Sequence, residues 1–214
     1  MLCADSQGGD LAICSGCLAD MPWHHQSACP QCALPYYEGQ LCGNCLQSAP
    51  AFDITRALFR YEYPLDGILQ RYKYQQSLHI AKTFSRLMQT NFSISHSFDR
   101  IIPMPLHPKR LAERGFNQSL EIAKLIAKKL PLRLDTASCS RVRFTPPQAS
   151  LPLKTRIKNM RGAFSCHEDL QGQRVILLDD VMTTGASLHE LAATVKSAGA
   201  SHVECWVVAR TLAK

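Results

Sequence analysis

An α/β fold, with a mainly parallel sheet flanked by helices and a small N-terminal Cys-rich module, is what this 214-residue sequence predicts. Three observations lead there. Strand-like runs alternate with helix-period segments from residue 54 onward, the pattern that builds parallel sheets. One run, Val175 to Leu178, is unbroken apolar sequence ending in two acids, as a strand covered on both faces must be. Seven of the ten cysteines fall within the first 45 residues, in a stretch with too few large aliphatic side chains to build its own core.

Residues 1–50 are therefore expected to fold as a metal-stabilised module and residues 51–214 as the α/β domain. Within the latter, Ile54 to Tyr61 reads as a strand, Leu65 to Tyr74 and His79 to Phe92 as helices, and Arg100 to Met104 as a short buried strand. Asn117 can cap a helix that runs to Leu130, with Leu120, Ile122, Leu125 and Ile126 at helical spacing and Pro131 as its stop. Leu132 to Asp135 reads as a strand and Arg141 to Asn159 as a long polar loop. The strand Arg174 to Asp179, the helix Ser187 to Ala198 closed by Gly199, and the strand Val203 to Ala209 complete the pattern.

Composition narrows the function classes. Hydrophobic residues make up 46% and charged residues 19%, which fits a folded chain and excludes an intrinsically disordered one. No apolar run approaches the roughly 18 residues of a membrane span and no signal peptide is evident, so a cytoplasmic protein is expected. The net charge of +7 is concentrated: residues 100–161 hold 14 Lys and Arg against three acids. Such a segment points to a polyanionic partner, a phosphorylated small molecule or a nucleic acid.

Cys29-x-x-Cys32 and Cys42-x-x-Cys45 have zinc-ribbon spacing, each pair clasping a metal from one knuckle to complete an all-thiolate tetrahedral site. A redox dithiol is the rival reading for any single pair. Cys14-x-x-Cys17 needs further ligands, which Cys3 and His24 or His25 can supply. Structural Zn²⁺ is the expected metal. Simple burial is expected of Cys139, Cys166 and Cys205.

The segment Asp179-Asp180-Val181-Met182-Thr183-Thr184-Gly185-Ala186-Ser187 leaves a strand through two carboxylates and turns into a helix. A helix N-terminus offers amide N–H groups and a positive dipole end to phosphate. Gly185 permits close backbone approach, and Thr183, Thr184 and Ser187 add hydroxyl donors. Adjacent carboxylates take ribose hydroxyls directly or through Mg²⁺ and its waters. The stretch resembles the signature of type I phosphoribosyltransferases that binds 5-phosphoribosyl-1-pyrophosphate (PRPP). That resemblance implies that the loop holds the 5′-phosphate and that Asp179 and Asp180 hold the ribose. It also implies that Pro105, Leu106, Lys109, Arg110 and Arg114, after the Arg100–Met104 strand, hold pyrophosphate. Catalytic roles fall to Asp179, Asp180 and Arg114, since fixed cations stabilise charge on a departing pyrophosphate. The loop with Arg141, Arg143, Thr145, Gln148, Arg156, Asn159 and Gly162 matches the position of a closing hood.

Cysteine pairs, Pro103-Met104-Pro105, Arg114-Gly115-Phe116-Asn117-Gln118 and the Asp179–Gly185 loop, in this order, resemble the ComF/GntX family of bacteria. In that family a zinc-finger-like module precedes a type I phosphoribosyltransferase domain, and members are linked with natural competence and use of DNA as a nutrient. Where the family's first pair reads Cys-x-x-Cys, this chain has Cys3, which resembles the second member of that pair with the first falling before Met1. The resemblance implies PRPP or another phosphoribosyl compound as ligand. Three activities fit: phosphoribosyl transfer to an unspecified acceptor, single-stranded DNA binding with Phe116 and Phe144 as the nearby aromatics, or PRPP sensing without turnover.

Overall fold

The computed structural model describes residues 11–24, 27–74, 77–92, 97–144 and 160–212. Two short helices, α1 (Ser15–Ala19) and α2 (Gly43–Gln47), contain Cys17 and Cys45 and are capped by Cys14 and Cys42. Then follow β1 (Ile54–Arg60), α3 (Leu65–Tyr74), α4 (Leu78–Asn91), β2 (Arg100–Pro103), α5 (Pro108–Arg114), α6 (Gln118–Ala127) and β3 (Arg133–Leu134). The hairpin strands β4 (Cys139–Arg141) and β5 (Phe164–Cys166) precede β6 (Arg174–Met182), α7 (Ala186–Ser197) and β7 (His202–Arg210).

Five strands form one sheet in the order β1-β7-β6-β2-β3, and every pairing in it is parallel. The apolar runs explain this arrangement. Along β6, Ile176 and Leu178 face α3, α4 and α6 in one core, while Val175 and Leu177 face α7 and the hairpin in the other. β7 does the same with Trp206 and Val208 against Cys205 and Val207. Residues wholly buried on both faces have no polar side to show, hence the unbroken apolar sequence.

Three expectations are corrected. The basic stretch after β2, assigned no helix from the sequence, contains one: Pro108–Arg114, with the His107 side chain accepting from the Lys109 N–H at 3.2 Å and Pro108 at its first turn. β6 continues past Asp179 to Met182, because β7 runs beside it as far as the Met182–Arg210 pair. The long loop is flanked by an antiparallel pair, Cys139 opposite Cys166. Of the proposed hood, Arg141, Arg143 and Gly162 are described, whereas Thr145, Gln148, Arg156 and Asn159 lie outside the described residues.

The N-terminal module packs against the edge strand β1. His24 N–H donates to the Leu58 carbonyl at 3.0 Å, Arg60 N–H to the Pro22 carbonyl at 2.7 Å and Thr55 N–H to the Pro30 carbonyl at 3.0 Å, while the Trp23 and Phe59 rings meet at a tilt with centres 4.6 Å apart. These bonds occupy backbone groups that a bare edge would leave open to another chain.

At the other end of β2 lies a buried charge cluster. Arg100, 5% exposed, donates to Asp135 Oδ2 at 2.5 Å, Ser138 Oγ at 3.0 Å and Glu168 Oε2 at 3.1 Å. Ser138 donates from both its hydroxyl and its amide to Asp135.

Candidate functional site

β2 leads into α6 on one face of the sheet and β6 into α7 on the other. Between their carboxyl ends the chain therefore splays apart, the place where such sheets bind ligands. A cleft of about 330 Å³ opens there, lined by Asp179 to Thr183, by Gly185 to Leu188, and by Leu106, His107, Arg110, Arg114 and Arg141. Of the residues singled out for the ligand, Pro105, Lys109 and Thr184 fall outside this lining. Lys109 instead places its Nζ 5.5 Å from the Phe144 ring centre, and the Thr184 hydroxyl accepts from the Ala186 N–H at 3.2 Å.

Gly185 caps α7 in the left-handed region at φ +80°, and a Cβ there would meet Met182 Cε at 2.7 Å. Only glycine makes this turn without strain. It aims the start of the 12-residue α7 at the cleft.

The stretch Arg114–Gln118 has a structural reason at each position. Gly115 closes α5 with φ +76°. Phe116 is buried against Tyr72 with ring centres 5.9 Å apart, so it is not a surface for stacking bases. Asn117 caps α6 by accepting from Leu120 N–H at 3.2 Å and donates to the Met104 carbonyl at 3.0 Å, joining the loop after β2 to the helix. Gln118 accepts from Arg114 at 3.1 Å and donates to the Lys73 carbonyl at 3.2 Å. Three elements thus fix the cleft wall.

One cleft residue, Lys73, is not singled out from the sequence, and another, Arg141, reads there as part of the hood. Lys73, at the end of α3, reaches Asp180 Oδ2 at 3.4 Å. Arg141 ends β4 and lines the cleft. Burial lowers its guanidinium from the usual value; Asp179 opposes this, while Arg110 and Arg114 add to it. Three arginines converging on one cavity repel one another, and an anion between them relieves that repulsion.

Burial and the adjacent Asp180 carboxylate push Asp179 up to about 7, against the amide of Asp180, Lys73 and the Ser119 hydroxyl, which favour its ionised form. A raised folded-state value means that ionising Asp179 costs stability. The cost is absent below the ordinary value of 3.8, grows with pH and is complete above about 7. Asp179→Asn is therefore expected to melt increasingly above the wild type as pH rises from 4 to 8. Melting profiles that stay parallel across that range would contradict the assignment.

The second candidate centre is in the module. The Sγ atoms of Cys29, Cys32, Cys42 and Cys45 lie within 4.8 Å of one another, Cys32 and Cys42 at 3.6 Å. Tetrahedral zinc with Zn–S near 2.3 Å sets S–S edges of about 3.8 Å, so the four thiols fit it. All four are buried. Cys14 starts α1 as its cap, its Sγ accepting from Cys17 N–H at 3.5 Å, and neither belongs to a cluster of three or more metal-binding groups among the described residues. Cys3 and His25 lie outside the described residues. His24 donates through Nε2 to the Ala33 carbonyl at 2.8 Å, beside the four-cysteine knuckle.

Comparison with known proteins matches a family to each part of the chain. The Phosphoribosyl transferase domain family matches residues 117–214 and the Double zinc ribbon domain family residues 1–46. DNA utilization protein YhgH of Escherichia coli O6:H1 is 33% identical over 95% of this chain and 92% of its own length. The chain belongs to the ComF/GntX family. Another relative of this ComF/GntX chain, Competence protein F of Haemophilus influenzae, is 33% identical over 92% of it and 90% of that protein. Among solved structures, the allosteric regulatory enzyme of purine biosynthesis superposes with a TM-score of 0.36 and 17% identity over 58% of this chain and 24% of that one. The N-terminal module of this ComF/GntX protein is a four-cysteine zinc ribbon, and its parallel sheet carries a phosphoribosyltransferase-like domain. No helix among the described residues is long and apolar enough to cross a membrane.

Proposed function

We propose that this protein binds PRPP in the cleft between β2 and β6 and transfers its phosphoribosyl group, in the service of DNA uptake or use. One observation carries the reading: the carboxylate pair, the glycine turn into α7, and Arg110, Arg114 and Arg141 all line one cavity. In this arrangement Thr183 to Ser187 hold the 5′-phosphate, and Asp179 and Asp180 accept hydrogen bonds from the ribose hydroxyls. Asp180 is held at the cleft wall, its Oδ1 accepting from the Val181 N–H at 2.7 Å and its Oδ2 paired with Lys73 at 3.4 Å. Asp179 and Asp180 would also hold a hydrated Mg²⁺, which would offset part of the negative charge of the pyrophosphate. Arg110 and Arg114 stabilise the negative charge that builds as the C1′–O bond breaks, an effect of about 2.7–4 kcal/mol per donor in comparable sites. Cys14, Cys17 and Cys3 would belong to a second metal knuckle.

A specific surface also favours single-stranded DNA as a partner. Phe144 is 45% exposed, with Lys109 and Arg110 beside its ring at 5.5 and 5.7 Å, a combination of stacking face and cations that single strands use.

Calorimetric titration with PRPP and Mg²⁺ tests the reading. The wild type is expected to bind and the Asp179→Ala/Asp180→Ala variant to bind at least about tenfold more weakly, since each ribose contact is charge-assisted. Wild-type protein that ignores PRPP yet binds single-stranded DNA with steep salt dependence would transfer the cleft's role to DNA.

A further inference from the structure

The two sites are joined through one side chain. Arg210, the last residue of β7, is 3% exposed. Its Nε donates to the Cys32 carbonyl at 2.8 Å, and its Nη1 donates to the carbonyls of Met182 at 3.1 Å, Thr183, and Thr211 at 2.8 Å. Cys32 is a thiol of the ribbon, and Met182 and Thr183 open the turn into α7. Among the described residues no carboxylate forms an ion pair with Arg210. A zinc ion held by four thiolates is doubly negative, so the ribbon supplies the counter-charge that a buried guanidinium requires.

The bonds also fix the direction of the loop's amides. In a trans peptide the C=O and N–H point to opposite sides. Drawing the Met182 and Thr183 carbonyls toward Arg210 turns the N–H groups of Thr183 and Thr184 away from it. Thr183 is part of the cleft lining. The Thr211 N–H adds a second bond to the Met182 carbonyl at 3.0 Å, reinforcing that orientation.

We propose that Arg210 is a positioning residue that couples the metal-loaded ribbon to the anion-binding loop. It rests on the PRPP-binding reading above only for the identity of the ligand. Metal in the ribbon holds the Cys32 carbonyl, that carbonyl holds the guanidinium, and the guanidinium holds the peptide planes of 182–184. Lysine keeps the charge but lacks the fork that reaches both sides at once. Because coupling is reciprocal, a ligand that needs the ordered loop must also strengthen retention of the metal.

The test uses the zinc-loaded full chain and Arg210→Lys. The variant is expected to keep its zinc stoichiometry, while amide hydrogen exchange at Thr183 to Ser187 accelerates about tenfold and PRPP binding weakens by a similar factor, within the usual range of such couplings. In the wild type, saturating PRPP with Mg²⁺ slows zinc transfer to a colorimetric chelator; in the variant it does not. Unchanged loop exchange in zinc-loaded Arg210→Lys overturns the proposal. PRPP that binds neither protein, with loop exchange still accelerated in the variant, sinks the ligand and leaves the coupling standing. If the variant melts far below the wild type, the wild type alone decides: equal zinc-transfer rates with and without bound PRPP overturn the coupling.

Discussion

Cys45→Ser is expected to empty the ribbon of zinc and to lower the melting temperature by roughly 10 °C or more. The reason is what the module is made of. Its buried cluster consists of Cys29, Cys32, Cys42 and Cys45 themselves, with Leu34 packed alongside. Remove the metal and there is little apolar surface left to hold the knuckles together, while four thiols must share a small space. A structural zinc contributes on the order of 10 kcal/mol to folding such a unit. The loss spreads to the sheet, because the module's backbone bonds to Thr55, Leu58 and Arg60 cover the β1 edge. Zinc content by emission spectroscopy and melting by circular dichroism read both effects. A variant that retains one equivalent of metal and melts with the wild type would remove Cys45 from the ligand set.

Asp135→Ala is expected to cost about 3 kcal/mol, or about 6–12 °C in melting temperature, without altering the cleft. Arg100 would stay buried without the carboxylate that receives its bond at 2.5 Å, and the Ser138 and Ala137 amides would lose their acceptor. Glu168 remains as a partner for Arg100, which keeps the loss at the lower end of the range for a broken buried pair. The pH dependence has a definite sign. Burial works to raise the Asp135 carboxyl, but the Ser138 hydroxyl and amide, Arg100 and the Ala137 amide outweigh it and leave it below the ordinary 3.8. Its stabilising contribution is thus complete above the ordinary value and is lost as pH falls through the depressed one. Wild type and variant should converge in stability as the solution is acidified below pH 4. A constant gap down to strong acid would show that the cluster is held by packing and not by charge.

What could be read without coordinates is what neighbours in sequence decide. The β6–α7 connection is legible because strand, acids, turn and helix cap are contiguous, and Leu65–Tyr74 because its apolar spacing lies wholly within one helix. The cysteine knuckle is legible for the same reason. Lys73 meeting Asp180 and Arg210 meeting Cys32 are not, since more than a hundred residues separate each pair and no local pattern reports them. The hairpin is lost similarly, its two three-residue strands being too short to show alternation. α5 is a different case: Pro108 at its first turn and Gly115 just past its end are signals of a short helix, and the neighbouring Pro103 and Pro105 masked them. Phe116 misled in the opposite direction, its place among basic residues concealing that it points into the core.

The place of β7 has a bearing on how the protein is made. It lies inside the sheet, next to the β1 edge, yet it follows every other described strand in the chain, pairing Ile54 with Glu204 on one side and Arg174 with His202 on the other. Until residues 202–210 have left the ribosome, β1 stands apart from the β6-β2-β3 group, and each has an open flank. The sheet cannot close before β7 has emerged, and a product that stalls or ends ahead of it would present both flanks to chaperones or to its neighbours.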